Sequence, residues 1–339
     1  MSVQSEISRI SGNIASAYAA VEEKGGALPS ERNSENLPDS IRNIPIPPAH
    51  VFGRDWTETD LPVSSNWAAI TYGAGKFVAT TNGTDIVAYS TDGINWAETT
   101  LPFDGKWYSV TYGAGKFVAV AYDADAAAYS TDGITWIETP LPSYDNWYSV
   151  TYGAGTFVAV AYNSDTAAYS TDGITWVASD IPFSDKWRSV TYGDGKFVAI
   201  AAGTNIAAYS TDGINWTETT LPLASQWYSV TYGGGKFVAV SYAGRKTAYS
   251  TDGIHWAAAD ITFSNWYSVA YGGGKFVATT NGSNKAAYST DGIVWVGITF
   301  PYPAVWYSSA YGGGRFVAIP YGKGKAFYSP VDPPDEKGT

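Results

Sequence analysis

Tyr89-Ser90-Thr91-Asp92-Gly93-Ile94-Asn95-Trp96, Y-S-T-D-G-I-N-W, returns with small changes at Tyr129 to Trp136, Tyr169 to Trp176, Tyr209 to Trp216, Tyr249 to Trp256 and Tyr288 to Trp295. A string that recurs at about forty residues marks one supersecondary unit copied along the chain, and that decides the fold class before any single element is considered. In the copy that starts at Trp107, residues 107–112 (WYSVTY) alternate large and small and end at Gly113-Ala114-Gly115, which is a strand closed by a turn. Residues 116–120 (KFVAV) follow as a second strand, apolar on both faces as in a buried layer. Residues 126–130 (AAAYS) make a third, Thr131-Asp132-Gly133 turns, and residues 134–138 (ITWIE) make a fourth. We label these strands a to d; four strands in such a period are the pattern of a propeller blade.

The tryptophans set the count. Strand a carries Trp67, Trp107, Trp147, Trp187, Trp227, Trp266 and Trp306, and strand d carries Trp56, Trp96, Trp136, Trp176, Trp216, Trp256 and Trp295, which together use all 14 in the chain. The last strand c ends at Tyr328-Ser329-Pro330 with no strand d after it, while Gly53-Arg54-Asp55-Trp56 is a strand d with no strand c before it. The expected fold is therefore all-β: a seven-bladed β-propeller of four-stranded blades over residues 53–330, closed by the N-terminal strand.

Ahead of the repeats, Ile7, Ile10, Ile14, Ala17 and Val21 fall at the spacing of one helical stripe that stops at Gly25-Gly26. Leu37, Ile41 and Ile44 after Pro38 predict a second, short helix. Residues 1–44 are read as a short α-helical module, residues 45–52 with Pro45-Ile46-Pro47-Pro48 as a stiff linker, and residues 331–339 as a tail. A single apolar stripe is marginal alone in water, so this module is expected to dock on another copy or another protein.

Composition narrows the partners. With 31 acidic against 20 basic residues the net charge is −11, which argues against a nucleic-acid backbone or an anionic membrane surface. Cysteine is absent, the one methionine is Met1, and the N-terminus lacks a basic start followed by an apolar run, so neither disulfides nor a secretory signal is expected. No apolar run approaches the length of a membrane span.

Two resemblances add to this. The stretch from Ile10 to Ile44, with Lys24-Gly25-Gly26-Ala27-Leu28-Pro29 and Asn33-Ser34-Glu35-Asn36-Leu37, resembles the N-terminal segment of tail-fibre and related tail proteins from phages and prophages of Gram-positive bacteria. The resemblance implies attachment to a virion tail, assembly in the host cytoplasm, and a homo-oligomer, commonly a trimer. Ser90-Thr91-Asp92-Gly93-Ile94-Asn95-Trp96 also resembles the Asp-box of sialidase-type propellers, one residue shorter, which implies a hairpin between the third and fourth strands of a blade.

The repeated residues themselves favour structure over chemistry. Asp92 and its counterparts Asp132, Asp172, Asp212, Asp252 and Asp291 stand one to a turn, too few oxygens for calcium, and an Asp before Gly bonds its own turn backbone. No metal and no cofactor is expected. No carboxylate pair, arginine cluster or nucleophile with a base stands out, so the chain is expected not to be an enzyme; a glycan depolymerase is the reading a pair of loop-face carboxylates would support. Variation gathers in two connections. Between strands b and c the changing positions include Asp123, Asp125, Asn163, Asp165, Asn205, Arg245, Lys246, Asn284 and Lys285; between d and the next a they include Phe103, Asp104, Lys106, Tyr144, Asp145, Phe183, Asp185 and Tyr302. In an up-and-down blade both connections emerge on one face, where loops on a rigid scaffold carry function. These residues are the candidate ligand-binding set, for a bacterial surface receptor, a glycan first and a protein second. A tail component whose propeller contacts only other virion proteins is the alternative.

Overall fold

The computed structural model describes residues 55–331, and within them 17 strands and no helix. The chain divides between His50 and Val51. The expected N-terminal helices, the proline-rich linker and the tail beyond Val331 lie outside the described residues.

The repeat that starts at Trp227 shows the pairing in full. Strand a, residues 227–233, pairs antiparallel with strand b, Lys236–Ser241, with Gly233 opposite Lys236. Strand b pairs with strand c, Lys246–Ser250, with Phe237 opposite Ser250, and strand c pairs with strand d, Ala257–Asp260, with Tyr249 opposite Ala257. Between a and b the chain turns in two residues; in the Trp107 repeat these are Ala114 and Gly115, with φ of 45° and 75°. Positive φ at both central positions is the type I′ geometry that matches strand twist. After its first residue strand b is buried, with Phe117, Val118, Ala119, Val120 and Ala121 all at 0% exposure.

The ends of the array meet. Thr57 pairs with Tyr328, Glu58 with Phe327, Thr59 with Ala326 and Asp60 with Lys325, so the first strand supplies the fourth strand of the last repeat. A second circuit runs through the innermost strands. A Cβ placed on Gly113 would fall inside the ring of Tyr152, one on Gly153 inside that of Tyr192, and so on from repeat to repeat until Gly312, whose counterpart is Tyr72 of the first. Only glycine lets each strand a approach the next so closely. Serine hydroxyls link the same strands: the N–H of Val150 donates to Ser109 at 3.1 Å, Val190 to Ser149 at 3.1 Å and Ile70 to Ser308 at 3.3 Å.

Two expectations about strands are corrected. Strand d begins after its tryptophan, at Ile137 rather than at Ile134, and in the first copy at Thr57, with Asp55 and Trp56 outside it. The reason is the turn itself: Asp132 Oδ1 accepts the N–H groups of Ile134 and Thr135, both at 2.8 Å, and holds them out of the ladder. Ser130 Oγ accepts the Gly133 N–H at 2.8 Å, which completes the hairpin. The connections expected as loops are also more ordered than that, since continuous strands such as Lys116–Ser130 and Ala97–Gly113 run through them. They pair with each other: Tyr122 faces Asn146 and Ala124 faces Asp145, so the b-to-c and d-to-a connections share one face of the ring.

Gly153→Ala is expected to destabilise the fold by about 2 kcal/mol or more, through overpacking against Tyr192. Urea denaturation measures it, and a midpoint equal to wild type would remove the inter-repeat contact from the account. Acid gives a second test. The backbone N–H groups of Thr135 and Ile134 hold the Asp132 carboxyl down from 3.8 to about 2. A lowered folded-state value means that this stabilisation is complete above the unfolded value and is lost as the pH falls through the folded one. The urea midpoint should therefore drop between about pH 4 and about pH 2, and Asp132→Asn should flatten part of that drop.

Candidate ligand site on the propeller axis

In each repeat the pairing of strand a with strand b slips by one residue just after the tryptophan. Trp107 faces Ala121 and Ser109 faces Val120, which leaves Tyr108 without an opposite residue. The same slip brackets Ala68, Tyr148, Arg188, Tyr228, Tyr267 and Tyr307. Such a β-bulge takes a side chain out of the strand's alternation and re-aims it. Here the re-aimed residues of all the repeats line one open cavity of about 120 Å³, together with Ser149, Ser189, Ser229, Ser268 and Ser308. A cavity with a wall from every repeat lies on the axis of the ring.

Arg188 is the one charged residue in that lining. Its guanidinium carbon lies 3.6 Å from the Tyr228 ring centre, 4.8 Å from Tyr148 and 5.3 Å from Tyr267, and Nη2 donates to the Tyr267 hydroxyl at 2.7 Å. Arginine over tyrosine faces is stabilised by the ring quadrupole, more so when desolvated. Tyr108 stacks on Tyr148 at 4.9 Å, and the Tyr148 and Tyr307 hydroxyls are 3.2 Å apart. Burial pushes the Tyr108 hydroxyl up to about 12 and raises those of Tyr148, Tyr267 and Tyr307 above the ordinary tyrosine value, so at neutral pH all of them keep their protons.

A second tier of aromatics comes from the b-to-c connections. Tyr122 packs on Tyr108 at 5.3 Å, Tyr162 on Tyr148 at 5.6 Å, Tyr242 on Tyr228 at 5.1 Å and Tyr321 on Tyr307 at 5.5 Å. Asn82 Nδ2 donates to the hydroxyls of Tyr108 at 2.9 Å and Tyr321 at 3.3 Å. The axial tyrosines are thus in packing contact with the connections that vary between repeats.

Of the residues singled out by sequence, one group comes together. Phe103, Asp104, Lys106 and Asp123 line a pocket of about 260 Å³ with Tyr122. Lys106 Nζ is 3.3 Å from Asp123 Oδ2, and the exposed Tyr144 donates its hydroxyl to Asp123 Oδ1 at 2.8 Å. Asp104, Asp145 and Asp185 hold the two connections together: they accept from the Asp85 N–H at 3.0 Å, the Ser164 hydroxyl at 2.7 Å and the Thr204 hydroxyl at 3.2 Å. Phe183 is exposed, and its carbonyl, like that of Phe103, accepts the indole N–H of the strand-a tryptophan four residues on. Asn163, with φ of 59°, stands at a bulge between Tyr162 and Ser164, and Asp125, Asp165, Asn205 and Arg245 are exposed. Lys246 pairs with Asp260, Lys285 Nζ lies 5.6 Å from the Phe263 ring centre, and Asn284 beside it is half-buried. Tyr302 is half-buried against Trp306 and Phe327. The axial tyrosines are hidden in the sequence because they recur as regularly as the residues of the core. The signal that could have found them is the break in a constant position, Ala68 and Arg188 where five repeats have tyrosine.

No protein-family model and no curated protein sequence matches the chain. Solved structures do. Virginiamycin B lyase from Staphylococcus aureus is similar with a TM-score of 0.74 at 19% identity, over 82% of this chain and 99% of that one. YCF48 bound to D1 peptide gives 0.66 at 16% identity over 82% and 97%, and the WD40 propeller domain of Doa1 gives 0.65 at 14% over 84% and 98%. At these identities the likeness shows the fold, and the described chain is a β-propeller. It also corrects the expectation that the chain is not an enzyme. A lyase stands among the structures that share the fold, so repeat symmetry without an evident catalytic pair is no ground for excluding catalysis.

Proposed function

We propose that the chain is a seven-bladed propeller acting as the receptor-binding part of a phage-type tail, with the variable face of the ring engaging a glycan of the bacterial surface. The blade count rests on the copies of strand a, each bearing one tryptophan, and on the return of the glycine–tyrosine contacts from Gly312 to Tyr72. The observation that carries the function is the gathering of the variable connections on one face of the ring, with tyrosines of those connections packed on the tyrosines of the axial cleft. Tyrosine offers a flat apolar face and a hydroxyl on one rigid side chain, which suits a sugar ring with its edge of hydroxyls. Residues 1–44 would attach the propeller to the tail and set its copy number, so that several shallow sites act together. The tail assignment rests on the resemblance of the N-terminal stretch.

Full-length protein is expected to sediment with protein-stripped cell walls from at least one Gram-positive strain in a panel. Phe103→Ser with Tyr144→Ser should weaken that binding, whereas Asn95→Ala on the Asp hairpins should not. Retention by none of the walls, or equal retention of both variants, would count against the reading; a loop face wholly covered by neighbouring proteins in assembled particles would favour a structural tail role instead.

A further inference from the structure

We propose that the axial cleft takes the anionic group of a saccharide, a carboxylate or phosphate on Arg188, with the surrounding tyrosines holding the sugar. The proposal rests on the glycan-binding reading above and names the class of sugar. Five repeats place tyrosine at this position, so packing alone is served without a cation. What Arg188 adds is charge, directed into a cleft whose lining holds no acidic residue. Among the described residues no carboxylate pairs with it, and one of its five N–H donors is occupied, by Tyr267. Three lysines on the same face are treated differently: Lys106 is paired with Asp123, Lys246 with Asp260, and Lys325 with Glu58 at 3.0 Å and Asp60 at 2.6 Å. A guanidinium left with open donors in a partly desolvated cleft is matched in shape and charge by a carboxylate or phosphate.

Ala68 provides the room. It is the bulge residue of the first repeat, so the tyrosine that would fill its sector is missing from the ring. The cavity of about 120 Å³ has room for the anionic group and part of one sugar residue, as the end or a branch of a polymer, rather than for a strand passing through. The tyrosine hydroxyls keep their protons at neutral pH and can donate to the same anion or to ring hydroxyls.

Calorimetry on the full chain with glucuronic acid, glucose 1-phosphate and glucose tests this. At least one charged sugar should bind roughly tenfold or more tighter than glucose, the loss expected when a charge-assisted bond is absent; which one binds separates carboxylate from phosphate. Arg188→Tyr installs the residue of the other repeats and should abolish the preference while the melting temperature is kept. If that variant does not fold, Arg188→Gln gives the same readout. Ala68→Tyr should close the cleft and weaken all charged sugars with Arg188 still in place. Charged sugars no tighter than glucose, or bound equally by Arg188→Tyr, would overturn the proposal. Cell-wall binding that persists undiminished in Arg188→Tyr would overturn it while leaving the glycan reading intact; a charged sugar bound through Arg188 by a chain that holds no cell wall would do the reverse.

Discussion

Each innermost strand can approach the next only because a glycine stands where the neighbour's tyrosine ring lies flat, and this contact governs the rest of the molecule. It makes every repeat incomplete alone: the glycine of one leaves a slot that the tyrosine of the next must fill. Around it sit the strand-a tryptophans, fully buried, each of which would cost on the order of 3 to 5 kcal/mol to truncate. The serine links and the threonine hydroxyls, such as Thr99 donating to Ile134 O at 2.7 Å, then tie neighbouring repeats by polar bonds at inner and outer radii. Because the glycine–tyrosine series returns to its start, stability depends on closure, and the pairing of residues 57–60 with residues 325–328 is where the covalent chain completes the circle.

Close approach at the axis also explains why the bulge matters. Strands packed that tightly leave little space at the centre, and a regular strand would keep each side chain on one face of its own blade. One extra residue after the tryptophan frees a side chain from that alternation and turns it inward. The result is a ring of re-aimed residues in which a single substitution changes the shape or charge of the whole centre. Ala68 and Arg188 are such changes, one removing a ring and one introducing a cation.

The period, the strand order, the hairpin role of the aspartates and the meeting of the two chain ends could all be read from the sequence, since each is a pattern that repeats. Trp107-Tyr108-Ser109-Val110 looks like plain alternation, and nothing in its composition reveals that Tyr108 has no partner across the ladder. The start of strand d is hidden for a related reason: Ile134 and Trp136 are good strand residues, but the hydrogen bonds that backbone N–H groups donate to the Asp132 carboxylate outweigh propensity there. Among the variable positions, Asp104, Asp145 and Asp185 looked free to contact a ligand, whereas their carboxylates are used to fasten one connection to the other. Sequence variation located the face; geometry was needed to find which residues on it remain unspent.

The overall charge and the axial charge act at different ranges. A net charge of −11 repels an anionic polymer at a distance, so Arg188 cannot work by steering. At physiological ionic strength that repulsion is screened beyond about 8 Å, while a cation set among tyrosine rings is screened far less. An anionic sugar would therefore feel Arg188 only after entering the cleft, where water is already partly displaced and the hydroxyl donors are fixed. Charge used this way sets selectivity and dwell time more than encounter rate.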